Sequence, residues 1–89
     1  MVRKEITIIN KLGLHARAAA KFVELASRFA SEINLVRDGR RVNGKSIMGV
    51  MMLAASRGTT LMLEAEGEDE QDAVDRLEGL VGERFGEGE

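Results

Sequence analysis

Short alternating stretches and helically spaced stretches succeed one another along the chain. From Val2 to Ile9, Ile6 and Ile8 face one way and Glu5 and Thr7 the other, the period of a strand with one buried face. Lys11–Leu14 is a loop broken at Gly13. From about Ala16 to Phe29 the period lengthens, and Ala19, Phe22, Val23, Ala26 and Phe29 form one helical stripe. Ile33 and Leu35 mark a second strand. Asp38-Gly39 is a tight hairpin signal, with Arg41–Asn43 as the return strand. Ser46 suits the cap of a short helix over Ile47–Leu53, and Gly58 ends that region. Thr60–Glu66 alternates again, with Leu61, Leu63 and Ala65 on one side. Asp69 fits the cap of a last helix reaching about Val81, with Ala73, Val74, Leu77, Leu80 and Val81 turned inward.

The order β-α-β-β-α-β-α predicts an α+β fold. A four-stranded, mainly antiparallel sheet is covered by three helices on one face and left to water on the other. No repeat, linker or second composition breaks the 89 residues, so residues 1–89 form one domain. The acidic, glycine-rich tail over about 83–89 is expected to fray.

Composition narrows the function. Aromatic residues make up only 3% of the chain, with no Trp or Tyr, so the core must be built of aliphatic side chains and Met. A net charge of −2 offers no basic field for nucleic acid. There is no cysteine, hence no disulfide framework and no thiolate metal site, and no metal is expected. The N-terminus lacks a signal-peptide core, and Ile47–Ala55 is too short to span a bilayer. The expectation is a cytoplasmic protein without membrane insertion.

The single histidine, His15, falls at the start of the first helix, within N-K-L-G-L-H-A-R-A-A-A. Backbone N–H groups there lack partners and favour an anion over an imidazolium, which leaves the ring neutral and nucleophilic. Arg17 in the first turn opposes the helix dipole. It makes sense if a phosphate visits, taking amides and a guanidinium together. The chemistry points to a phosphohistidine relay. A capping histidine and a solvated arginine are the plainer alternative. The short helix is apolar on nearly every side, through Ile47, Met48, Val50, Met51, Met52 and Leu53. Val50 and Leu53 suit the core, whereas Met48 and Met51 are expected at the surface, as an interaction patch.

Two other classes compete. Residues 39–46, G-R-R-V-N-G-K-S, satisfy the pattern of a nucleotide-binding P-loop. The stretch reads as hairpin and strand, however, and too little chain follows for a parallel sheet. The element order β-α-β-β-α-β also resembles that of an RNA-binding sheet, but Phe22 and Phe29 belong to a helix stripe and Phe85 to the tail, so no stacking platform forms. Arg37, Arg40 and Arg41 read as a solvated hairpin edge.

G-L-H-A-R-A-A at 13–19 resembles the active-site signature of the HPr family, the histidine phosphocarriers of the bacterial phosphoenolpyruvate:sugar phosphotransferase system. N-G-K-S-I-M-G at 43–49 resembles the family's second signature, around a regulatory serine, and the spacing and element order match over residues 2–85. The resemblance implies an open-faced β-sandwich and a phosphoprotein serving sugar transport. His15 would accept a phosphoryl group on Nδ1 from phosphorylated enzyme I and pass it to a histidine of an enzyme IIA. Arg17 would stabilise the phosphate, and Ser46 would be phosphorylated by HPr kinase/phosphorylase. Leu14, Ala16, Ala20, Ile47, Met48, Gly49, Met51 and Met52 would form the docking surface. No cofactor is implied: the phosphate derives from phosphoenolpyruvate through enzyme I, and ATP enters only through the kinase. Such a carrier is a covalent intermediate without turnover of its own, and a monomer is the natural state. The nitrogen-related NPr branch shares both motifs and remains the alternative. Where the family usually has proline after the arginine, this chain has Ala18. Glu24 and Ser27 stand where some members carry docking lysines.

Overall fold

The computed structural model describes all 89 residues. The elements are β1 (Val2–Thr7), α1 (Ala16–Ala26), β2 (Glu32–Arg37), β3 (Arg40–Asn43), α2 (Ile47–Met52), β4 (Thr60–Glu66) and α3 (Glu70–Gly82), closed by a 3-10 turn at Arg84–Gly86. The sheet order is β1-β4-β2-β3, and every pairing is antiparallel. The α+β, four-stranded, three-helix expectation therefore holds.

Register explains the core. Ile6 lies opposite Leu61, Ile33 opposite Ala65 and Leu35 opposite Leu63, so the apolar positions of three strands meet on one face. Helices α1 and α3 lay Ala18, Ala19, Phe22, Ala26, Ala73, Val74, Leu77 and Val81 against them. Val50 and Leu53 are buried, as the pattern predicts.

Some boundaries differ. Strand pairing ends at Thr7 rather than Ile9, although Ile8 stays buried and still donates its N–H to Thr59. Helix α1 stops at Ala26. Arg28 and Phe29 then donate to Leu25 and Ala26, the i−3 bonds of a tightening turn, which still brings Phe29 into the core. Asp69 occupies the N-cap position of α3 but makes no side-chain cap bond. Its carboxylate instead accepts from the amides of Ala30 and Ser31, both at 2.9 Å, and from the Ser31 hydroxyl. These bonds, led by the Ser31 hydroxyl, hold the Asp69 carboxyl below its ordinary value.

The open face is not simply wet. Glu64, in the middle of β4, is only 2% exposed. Arg3 from β1 reaches it at 3.0 Å and Arg41 from β3 at 3.1 Å, and the two arginines screen it from solvent. Arg37 and Arg40 are likewise not idle at the hairpin edge. Arg37 donates to the carbonyls of Leu53 at 2.6 Å and Ala54 at 3.1 Å, and Arg40 to that of Met52 at 3.3 Å. Cations thus satisfy the carbonyls at the end of α2.

The tail also departs from expectation. Phe85 is 1% exposed, and its turn packs against α1 and α3. Arg84 and Phe85 both take left-handed backbone angles, φ 56° and 55°, which turn the chain back toward α1. Lys21 donates to the Phe85 carbonyl at 2.7 Å, and the Lys11 amide to that of Glu89 at 2.9 Å. One aromatic ring supplies the burial that an acidic, glycine-rich tail otherwise lacks, and residues 83–89 are docked rather than frayed.

Candidate functional site

The loop before α1 is set by a close backbone approach. Gly13 has φ +70°, and a Cβ there would lie 2.6 Å from the Ala55 carbonyl oxygen. The next amide, Leu14, donates to that same oxygen at 2.8 Å. This joins the loop to the segment after α2 and places His15 at the N-cap of α1 in extended conformation, φ −71° and ψ 177°. Ala18 leaves the helix start intact: Ala19 donates to the His15 carbonyl at 2.8 Å, and Ala18 itself is fully buried.

The half-buried imidazole has a different neighbour at each nitrogen. The Arg17 amide points at Nδ1 at 3.3 Å, so the ring caps its own helix. On the other side Nε2 meets the Glu87 carboxylate, delivered by the docked tail. Glu87 is itself held by the Asn10 side-chain amide at 3.0 Å, and Asn10 is fully buried and also donates to the Gly13 carbonyl at 2.8 Å. The Asn10 bond is the main influence holding the Glu87 carboxyl below its ordinary value. His15 and Lys21 act in the same direction and partial desolvation opposes them. Neither Asn10 nor Glu87 was signalled by periodicity or motif.

Arg17 is exposed and lines a shallow hollow of about 270 Å³ with Lys11, Leu12, Lys21, Gly86, Glu87 and Glu89. An anion bonded to Nδ1 would lie at the first-turn amides of α1, the turn from which the exposed Arg17 side chain projects.

The residues expected to form a docking surface divide. Ile47, Met48, Met51 and Met52 are exposed, Met48 to 72%. Ala16 and Ala20 are also exposed, and α1 packs beside α2. Gly49 is half-buried. Leu14 is 6% exposed and belongs to the core, so its side chain is no docking group. The exposed apolar residue of that loop is Leu12, at 68%. Ser46 caps α2 as expected, its hydroxyl accepting from the Gly49 amide at 3.2 Å.

The P-loop-like stretch is not a phosphate cradle. Gly39 sits in the β2–β3 turn, Arg40–Asn43 is a paired strand, and Ser46 is a helix cap. All three phenylalanines are buried, which leaves the sheet without a stacking platform. No helix is long and apolar enough to cross a membrane.

Comparison with known proteins agrees with this geometry. Residues 2–83 match the family model described as "PTS HPr component phosphorylation site". The chain is 58% identical to the phosphocarrier protein HPr of Cupriavidus necator over 89 residues, covering all of both chains. It is also 58% identical to the HPr of Pseudomonas aeruginosa over 86 residues, 96% of each. A crystal structure of HPr from Thermoanaerobacter tengcongensis superposes with a TM-score of 0.95 at 49% identity, covering 98% of each chain. The match in sequence, fold and helix-start histidine has one reading: the chain belongs to the HPr family of phosphocarriers of the phosphotransferase system.

Proposed function

We propose that His15 is the residue that carries the phosphoryl group, received from the phosphorylated histidine of an enzyme I and delivered to a histidine of an enzyme IIA. The observation that carries this is the arrangement at Nδ1: a lone pair at the mouth of α1, capped by the Arg17 amide, with the Arg17 side chain exposed in the same first turn. In the acceptor step the Nδ1 lone pair attacks phosphorus. The donor P–N bond breaks, and its electron pair returns to the donor ring. As the bond forms, the Arg17 amide gives up the Nδ1 lone pair and, with the neighbouring first-turn amides and the guanidinium, matches the charge on the phosphoryl oxygens. The P–N bond is labile, so onward transfer needs little driving force.

Ile47, Met48, Met51, Met52, Ala16, Ala20 and Leu12 are the proposed contact surface for both partners. Methionine adapts to differently shaped surfaces, which suits a carrier serving more than one protein. We read the carrier as a monomer in the cytoplasm, with the His15 face free.

Ser46 is the proposed regulatory site. Its hydroxyl already serves the first turn of α2, so phosphate there would keep the cap while adding roughly two negative charges beside the apolar patch. Partners would be repelled without unfolding the helix. The HPr names of the 58%-identical relatives favour the sugar branch over the NPr branch.

Intact mass tests both sites. Incubation with enzyme I, Mg²⁺ and phosphoenolpyruvate should add one acid-labile phosphate, absent in His15→Ala. HPr kinase with ATP should add one acid-stable phosphate, absent in Ser46→Ala. A labile adduct that survives His15→Ala would refute the carrier assignment. An unchanged mass with the kinase would refute the regulatory one.

A further inference from the structure

We propose that Glu87 is a positioning residue for the phosphorylation of His15: held by buried Asn10, it fixes the imidazole as the Nε2–H tautomer and so makes Nδ1 the nucleophile. This rests on the reading of His15 as the phosphoryl acceptor. The two nitrogens have incompatible neighbours. The Arg17 amide can only donate, so Nδ1 must present its lone pair. The ionised Glu87 carboxylate can only accept, so Nε2 must carry the hydrogen. Each contact alone biases the tautomer, and together they leave one arrangement of the neutral ring.

The carboxylate is anchored independently of the ring. Asn10, fully buried, holds one Glu87 oxygen while the other faces Nε2. Phe85, two residues earlier, seats the tail in the core, and its carbonyl is gripped by Lys21 at 2.7 Å. The arrangement is that of a carboxylate orienting a reactive imidazole through the nitrogen that does not react.

Charge follows the same route through the reaction. When Nδ1 attacks phosphorus, the P–N bond to the donor imidazole breaks and its electron pair stays with the donor. The proton on Nε2 does not move, so the His15 ring becomes an imidazolium with Glu87 as its counter-ion. Delivery to the next histidine reverses the charge change. Glu87 therefore stabilises the charged ring during both transfers while touching neither phosphorus nor partner.

The test uses the full chain labelled with ¹⁵N at His15. Near neutral pH the wild type should show the nitrogen shifts of a single Nε2–H tautomer in the unprotonated ring. Glu87→Ala should move both shifts toward a tautomer mixture and slow phosphoryl uptake from phosphorylated enzyme I about tenfold, the loss of one charge-assisted bond to the developing imidazolium. Glu87→Gln keeps an acceptor and should restore the shifts more than the rate. Glu83→Ala removes an exposed tail carboxylate and should change neither. Wild-type shifts retained in Glu87→Ala, or an Nδ1–H tautomer in the wild type, would overturn the proposal even if His15 takes phosphate. A fixed Nε2–H tautomer with no phosphate uptake would instead overturn the carrier reading and leave the tautomer assignment standing.

Discussion

Replacing Phe85 by alanine tests whether the last six residues belong to the folded unit. The ring is 1% exposed, beneath a turn packed on α1 and α3. Truncating a fully buried phenylalanine costs about 3–5 kcal/mol when the surroundings cannot collapse. Here the turn lies at the chain end and can leave instead. The expected loss therefore sits at the low end, about 3 kcal/mol. For a domain of this size that corresponds to a fall of about 15 °C in Tm. Urea unfolding followed by far-UV circular dichroism suits a chain without Trp or Tyr. Removing residues 84–89 altogether should cost the same to within about 0.5 kcal/mol, because either change undocks one unit. A Phe85→Ala protein within about 0.5 kcal/mol of wild type would refute the burial argument. A truncation far costlier than the point change would show that the turn is held by something other than that ring.

Two further outcomes follow from charged groups away from the site. Asp69 is held below its ordinary carboxyl value in the folded state by the Ser31 hydroxyl and the amides of Ala30 and Ser31, so its contribution is present above the unfolded pKa and lost as pH falls through the lower, folded one. Stability should decline as pH drops below roughly 4, and Asp69→Asn should flatten that decline in an acid series of urea melts. Glu64→Gln should cost about 2 kcal/mol, since two arginines lose the charge they converge on, whereas Glu64→Met, which fills the same space, should lie within about 1 kcal/mol of wild type. Equal losses in the two Glu64 variants would argue that packing alone, not charge, fixes that position.

The sheet and helices were legible because their signals are periodic. Ile6, Ile33, Leu35, Leu61 and Leu63 each repeat along their own strand, and antiparallel register only had to align them. The proposed nucleophile, His15, stood out because a lone His beside Arg at a helix start is locally unusual, and the structure does place it at the N-cap of α1. The other half of the site did not stand out. Glu87 lies 72 positions from His15, in a tail whose one apolar residue, Phe85, belongs to no repeating pattern. Asn10 carries its meaning through burial, which periodicity does not report for a polar loop residue. Asp69 occupies a cap position, but the sequence could not say that its carboxylate would bridge to the loop before β2. Glu64 sits on the polar side of an alternating strand, and only the cross-strand register reveals the arginines that cover it.

The arginines that hold the end of α2 bear on how the proposed docking surface would receive several unlike proteins. Arg37 and Arg40 tether the carbonyls of Met52, Leu53 and Ala54 to the β2–β3 hairpin, while Ser46 secures the opposite end. A helix clamped at both ends cannot rock to greet a visitor. Adaptation is left to the unbranched thioether side chains of Met48, Met51 and Met52, which can change rotamer while the scaffold beneath stays still. Successive partners would thus meet a stiff pedestal with a pliant coat, and exchanging one for another would require no rearrangement of the backbone.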